Sequence, residues 1–431
     1  MPAPTRPRRP GEPGDPLPIQ RRQLLLAGLL SPLLAHAAGR GALTVTAFPA
    51  VDAILKSAEP DWRSLRPDVA LHVVSREYVD HHTAMVTSIA TRSHLPDAMA
   101  LELSFLGRFV NSGAFEDLSL PPYNALQFSD RFVAFAVQQA SAPAGGLMAI
   151  PADVAPGALF YRHDLLMRSG LTETDLTGSW ESFVAAGVRI KAATGAFLIG
   201  HARELKDVVI RTNLGPGEGV YLDRAGRALV DSPRFRRAFE LARQVRAQRL
   251  DGKIGTWSSE WSEALRRGAV ATQTMGSWFA GHLENWLAPS TRGLWRSAPL
   301  PDGAHMAWGG TFYAIPKEAP EKSLAWELIK LMTLDRRQQL AAFRAEGSFP
   351  ALLSAHQDPF FEQSIPFLGG QKARLQWRAA AAAIPSFPVH KLDPIAGEIV
   401  DSALDEVLEG RGIDDALSDA RHLVELRARR G

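Results

Sequence analysis

From residue 43 onward the sequence alternates short strand-like runs with helix-like stretches, and this alternation constrains the fold more tightly than any bulk property. Leu43-Thr-Val-Thr-Ala47, Ala70-Leu-His-Val-Val74 and Asp97-Ala-Met-Ala-Leu101 are brief β-branched or apolar runs. Residues 78–93 separate the last two and place Met85, Val86 and Ile89 at helical spacing. Ser104 stands where it would cap a helix over 105–111, which Gly113 would end. Strands separated by helices predict βαβ units, the α/β class and a mostly parallel sheet. The pattern restarts at Leu147-Met-Ala-Ile-Pro151 and Ala158-Leu-Phe-Tyr161, and helical periodicity returns in segments from 179 to 429. Within that region, 301–333 reads as a loop, a Gly309-Gly310 pair, a short apolar strand and an amphipathic helix. At 431 residues the chain has room for two or three domains.

The first 37 residues follow a different rule. Residues 1–20 are rich in Pro and Arg and lack periodicity. Arg21-Arg22 then opens an apolar run from Leu24 to Ala35, and Ala35-His36-Ala37 has the small-x-small form of a cleavage site. A run this short does not span a bilayer, so 1–37 reads as a signal peptide, twin-arginine-like, cleaved near Ala37/Ala38. Gln20 and Leu24 depart from the twin-arginine pattern without altering the expectation of export. The leader holds five Arg against Glu12 and Asp15, so the rest of the chain carries 43 basic and 44 acidic residues. A near-neutral protein lacks the basic face that nucleic acid requires. The absence of Cys excludes disulfides, Cys-ligated zinc, a thiol nucleophile and a lipid-anchored cysteine.

Five segments carry a family resemblance, in a fixed order. They are 87–118, with Pro96-Asp97 and Gly113; Ala158-Leu-Phe-Tyr-Arg-His-Asp-Leu165 through Ser179-Trp-Glu-Ser-Phe183; Gly268-Ala-Val-Ala-Thr-Gln-Thr-Met-Gly-Ser-Trp278; 298–315 around Gly309-Gly310; and Phe349-Pro-Ala351 with the helices after it. Together they resemble the family 1 extracellular solute-binding proteins, the maltose-binding-protein type. The resemblance implies a two-lobe periplasmic binding protein fold (type II) with three hinge crossings, near 151–153, 301–305 and 335. Lobe one would be 41–151 and 305–334; lobe two would be 152–300 and 336–431. The implied function is the periplasmic substrate-binding component of an ABC importer, which captures a sugar in the interlobe cleft. It would deliver that sugar to permease transmembrane subunits with a cytoplasmic ATPase, as a monomer without cofactor. A polyol, a phosphorylated polyol or another small polar solute is the alternative ligand, and Arg76, Arg162 and Arg211 leave an arginine clamp open.

A sugar presents hydroxyls at its rim and weakly apolar C–H faces, so its site needs planar aromatics beside charged or amide groups. Six of the ten Trp lie between positions 257 and 308. The family's cleft aromatic falls on Trp278, after Gly276-Ser277; Trp308, beside Gly309-Gly310, would face the cleft from the hinge side. Trp257 and Trp261 are further candidates, and core packing is the alternative for each. Glu102 follows the third strand, where open α/β sheets place ligand groups, and would otherwise be a solvated acid at a helix start. Asp153 at the first crossing either binds a hydroxyl or caps a turn. Gly309 and Gly310 either admit ligand close to their N–H groups or simply supply positive φ. Tyr78, Phe312, Glu346 and Phe349 are rim candidates, and Tyr161 matches a tyrosine packed under the cleft.

Catalytic patterns are missing. His81-His82 is followed four residues on by Met85 and Val86, not by metal ligands. No His-Glu-x-x-His, Gly-x-Ser-x-Gly or Walker loop occurs. The expectation is a binding protein and not an enzyme, with no metal ion.

Overall fold

A computed structural model describes residues 41–142, 145–212, 214–215 and 217–430. The segment read as a signal peptide, 1–37 with its cleavage site, lies outside the described residues. Ten strands occur among the described residues: β1 (Gly41–Ala47), β2 (Val69–Ser75), β3 (Ala98–Glu102), β4 (Ile150–Pro151), β5 (Asp153–Val154), β6 (Gly157–Arg162), β7 (Thr272–Gly276), β8 (Trp295–Ala298), β9 (Thr311–Ala314) and β10 (Phe349–Pro350). They form a five-stranded sheet ordered β2-β1-β3-β9-β4, a three-stranded sheet β7-β6-β8 and the pair β10-β5.

The predicted βαβ alternation builds the first sheet only in part. β1 runs parallel to β2 from Gly41↔Val69 to Ala47↔Ser75, and parallel to β3 at Val45↔Ala98. Helices Val51–Ser57, Glu59–Leu65 and Tyr78–Thr91 make the crossovers. β9 is antiparallel to β3 and β4, with Leu101↔Phe312 and Ile150↔Tyr313. The second sheet is antiparallel throughout, Leu159 facing both Thr274 and Ala298. The expected mostly parallel sheet is therefore corrected. β9 joins the first sheet as the chain returns from building the second, so its direction follows the return path, not a helical crossover.

β6 is buried along its whole length because both of its faces are covered. Alternation sorts its side chains between two cores. Ala158 and Phe160 pack with Phe279 and Trp377, whereas Leu159 and Tyr161 join the core beneath helices Trp180–Thr194, Ala202–Arg211 and Pro233–Ala247. The first of these helices has the start and stop its sequence demanded: Ser179 and Ser182 form a capping box, and Gly195 ends it at φ +79°.

Three chain segments run side by side between the two sheets. Residues 152–157 meet 306–311 through Trp308 N–H to Ala155 O (2.7 Å), Ala152 N–H to Thr311 O (2.8 Å) and Gly157 N–H to Met306 O (2.9 Å). The third segment is β10, paired with β5 as Phe349↔Val154. This corrects the crossing placed near Asp335. Helix Arg336–Glu346 stays with the first sheet: Gln338 bonds Asp61, and Gln339 Nε2 donates to Met332 O (2.8 Å). Asp335 caps that helix through Arg337 N–H at 2.7 Å, which explains the turn seen there. The second sheet is regained further on, where Trp377 Nε1 donates to Ser297 Oγ at 3.0 Å. No helix among the described residues is long and apolar enough to cross a membrane.

Candidate ligand-binding cleft

A cleft of about 1030 Å³ lies where the three segments pass, lined from one side by β3 and the helix after it and from the other by residues following β7. A second, smaller cavity of about 550 Å³ shares Asp207, Trp257 and Trp308 with it.

On the first-sheet side the organising group is Glu102, the last residue of β3. It serves as the N-cap of helix Leu103–Val110, accepting from Ser104 N–H at 2.8 Å, so the cap is Glu102 and not Ser104 as the sequence suggested. The same oxygen, Oε2, also accepts from the Ser104 hydroxyl and from Tyr78 Oη at 2.5 Å. Among the described residues no protein donor reaches Oε1, which lies beside Gly309: a Cβ on that glycine would sit 3.4 Å away. A carboxylate pinned by one oxygen and open at the other is pre-oriented to accept from a ligand hydroxyl.

Tyr78 keeps 36% of its surface exposed and packs edge-on against Phe48 and Phe105, each at 5.6 Å between centroids. Beneath it, burial pushes the imidazoles of His81 and His82 down to about 4, so both are neutral at physiological pH. His82 accepts Glu102 N–H on Nε2 (3.1 Å) and therefore donates from Nδ1 to Tyr78 O (2.7 Å). It stacks on Phe105 at 4.1 Å. The pair is a brace beneath Tyr78 and Glu102. Among the described residues no cluster of three or more His, Cys, Asp or Glu is arranged to hold a metal.

The opposite wall is aromatic. Trp257 and Trp278 stack at 5.9 Å with 21° between planes, His282 follows Trp278 at 4.9 Å, and Trp286 follows His282 at 5.4 Å. Burial holds the His282 imidazole down at about 4, so it is neutral at physiological pH. Trp257 and Trp286 are 53% and 52% exposed. Trp257 also adopts φ +70°, a conformation disfavoured for a bulky residue and held here by its neighbours. Trp278 is fixed by its Nε1 donating to Trp308 O at 3.1 Å.

Of the expected site residues, Glu102, Tyr78, Trp278, Trp308, Asp153, Gly309, Gly310 and Glu346 all border the cleft. Asp153 is occupied structurally: Thr311 N–H donates to one oxygen (3.1 Å) and Ser348 Oγ to the other (2.8 Å). One carboxylate thus ties together all three crossing segments. Gly309 and Gly310 hold φ +100° and +145°, and a Cβ on Gly310 would approach Asp153 O to 3.2 Å, so backbone geometry alone requires both.

Three expectations are corrected. Phe312 is buried because β9 alternation turns Thr311 to the cleft and Phe312 away from it. Phe349 is buried in a cluster with Phe343 (5.2 Å) and Phe361 (5.5 Å). Trp261 is fully buried, its Nε1 donating to Gln273 Oε1 at 2.9 Å, and it supports Trp257 from below at 5.1 Å. Tyr161 is buried, its hydroxyl donating to Glu173 at 2.9 Å. Of the three arginines considered, Arg162 is held bidentately by Asp164 (2.8 Å twice), Arg76 is exposed and does not line the cleft, and Arg211 lines it. His282 and Trp286 were missed; their spacing from Trp278, four and eight residues, is the helical signal that marked one face.

Residues 66–367, more than half of the chain, match the family model described as bacterial extracellular solute-binding protein, and the chain belongs to that family. Its two-lobe α/β fold is shared with solved structures. One, an extracellular solute-binding protein family 1, superposes with a TM-score of 0.78 at 22% identity, covering 90% of this chain and 99% of that one. The sugar-binding protein MalE from the phytopathogen Xanthomonas citri gives 0.75 at 18% identity, covering 90% and 98%. An ABC transporter associated binding protein from B. animalis subsp. lactis Bl-04, in complex with beta-1,6-galactobiose, gives 0.73 at 18% identity, again covering 90% and 98%. The family and these neighbours are binding proteins.

Proposed function

We propose that this chain is the substrate-binding component of a carbohydrate ABC importer. It captures a sugar between its lobes and releases it chemically unaltered to two permease subunits driven by a cytoplasmic ATPase. The observation that carries the reading is the pairing of unlike walls: Glu102 with Oε1 open, facing a stacked Trp257–Trp278 surface. A pyranose matches both, hydroxyl rim to carboxylate and C–H face to indole. The beta-1,6-galactobiose held by the similar binding protein from B. animalis subsp. lactis Bl-04 supports the same class. The leader at 1–37 fits export to the periplasm, and the chain would act there as a monomer.

The lobes follow from the crossings: the first holds β1–β4 and β9 with the chain as far as helix Arg336–Glu346, the second holds β6–β8 and the C-terminal helices. Ligand touching both favours the closed arrangement, because only closure lets the two walls contact it together. A thermal-shift screen of the mature chain against mono-, di- and oligosaccharides, polyols and phosphorylated polyols tests this. Ligand that binds only the native state raises its melting temperature. Sugars are expected among the hits; a response to amino acids or peptides with none to any saccharide overturns the reading, as does turnover of a bound oligosaccharide.

A further inference from the structure

Arg211 ends helix Ala202–Arg211 and lines the cleft. Among the described residues no hydrogen bond or ion pair holds its guanidinium. A half-buried arginine has five N–H donors to satisfy, so an idle one needs a reason. Two ordinary reasons fail. Arginines in a last helical turn often bond the terminal carbonyls, but Arg234 does that here, donating to Ile210 O, to Val220 O (3.3 Å) and to Gly219 O (3.2 Å). Arginines four residues after an Asp often pair with it, but Asp207 is engaged by Lys206 Nζ at 2.5 Å.

The other acids near Arg211 are also supplied from elsewhere. Asp401 takes Lys206 and Arg203, Asp393 Oδ2 accepts His390 N–H (2.7 Å), and Glu102 Oε2 has its three donors. Among the described residues at this end of the cleft, the buried Asp393 Oδ1 is unpartnered, and no hydrogen bond holds Arg211 or the Tyr221 hydroxyl, which lie close enough to interact through their charges. Gly397 leaves the Tyr221 hydroxyl accessible: a Cβ there would stand 3.2 Å from it. Phe387 and Val389 form an apolar flank.

We propose that this end of the cleft is an anion subsite, in which Arg211 receives the carboxylate of a uronic acid or the phosphate ester of a sugar and the Tyr221 hydroxyl donates beside it. The inference rests on the carbohydrate reading and narrows it to acidic sugars. A guanidinium fork matches either anion bidentately. Burial pushes the Asp393 carboxyl up to about 7, so at neutral pH this neighbour carries less than a full negative charge against the ligand. Arg211 lies on the second-sheet side and Glu102 on the first, so an acidic sugar held by both would span the cleft.

Titration calorimetry on the mature chain tests this with matched sets: glucose, glucuronate and glucose 6-phosphate; galactose and galacturonate; α-1,4-galactobiose and α-1,4-linked digalacturonate. A charged member is expected to bind about tenfold or more tightly than its neutral parent, with the advantage shrinking in high salt. The carboxylate and phosphate arms distinguish the two anion sources. Arg211→Met is expected to erase the advantage, Arg211→Lys to keep part of it, and Tyr221→Phe to reduce it. Should Arg211→Met fail to fold, the wild-type pairs and Tyr221→Phe still decide. Neutral sugars binding as tightly as their acidic partners, or an advantage that survives Arg211→Met, overturns the anion subsite while leaving the carbohydrate reading intact. No binding of any saccharide, neutral or acidic, would overturn both.

Discussion

The two walls of the cleft are organised on opposite principles. The first-sheet wall is polar and internally satisfied: Glu102, Tyr78, Ser104 and His82 bond one another, leaving one carboxylate oxygen open. The second-sheet wall is mainly aromatic and under-committed: Trp257 and Trp286 are half exposed, and among the described residues no hydrogen bond holds Arg211. The first wall has ordered its donors before a ligand arrives, so little rotamer entropy is lost there on binding. The second wall keeps exposed apolar surface whose burial would favour closure on a ligand. On the proposed carbohydrate reading, each wall alone would give a weak site and the pair a ligand-dependent clamp.

Breaking the polar wall is expected to have the largest effect. Glu102→Gln keeps an oxygen for Tyr78 and Ser104 but removes the charge. A charge-assisted hydrogen bond contributes roughly 1.5–3 kcal/mol, so affinity for the true sugar should fall about 10- to 100-fold by calorimetry. Unchanged affinity would make Glu102 a helix cap only. Breaking the aromatic wall comes next: Trp278→Ala should weaken binding about tenfold, since a stacked aromatic contributes more than ~1 kcal/mol. A variant with wild-type affinity would remove Trp278 from the site.

A smaller effect sharpens the contrast. Trp257→Gly removes one stacking face but also the strain of φ +70°, which costs on the order of 1 kcal/mol in a bulky residue. Affinity should fall about threefold while the ligand-free melting temperature stays within about 2 °C, because lost ring contacts and relieved strain offset. A large drop in ligand-free stability would mark Trp257 as a packing residue.

The polar wall was legible in the sequence because strand β3 announces itself by period and ends at an acid; position along the strand was enough to find Glu102. The aromatic wall was legible in composition but not in detail. Six clustered Trp signalled it, yet Trp261, inside helix Ser259–Arg267, is buried while Trp257, in the turn before that helix, is exposed through a positive φ that propensity does not encode. Phe312 and Phe349 failed for a related reason: an aromatic near a hinge fits the core as readily as the cleft, and strand register decides which. The parallel pairing of β1, β2 and β3 followed from alternation, whereas β9 and β10 are long-range pairings that carry no local signal. Arg211 was visible only as a candidate clamp, since its idleness depends on Arg234 and Lys206 reaching the groups it would otherwise serve.

The joint between the walls offers the mildest test, through pH. Asp153 ties Thr311 N–H and Ser348 Oγ, and burial pushes its carboxyl from 3.8 up to about 6. The folded value therefore lies above the unfolded one. The stability this carboxyl contributes is fully present below the unfolded value and is lost as pH rises through 6, because above that the folded chain holds a buried charge that the unfolded chain exposes to water. Asp153→Asn keeps an oxygen for Thr311 N–H and removes the titration. Its melting temperature should exceed that of the wild type by about 1–3 °C near pH 8, and the difference should close toward about pH 4. A difference that stays flat with pH would show that Asp153 is solvated in the folded chain. The joint would then be held by the β5–β10 and 155–308 backbone bonds alone, so lobe motion would be indifferent to protonation at this residue.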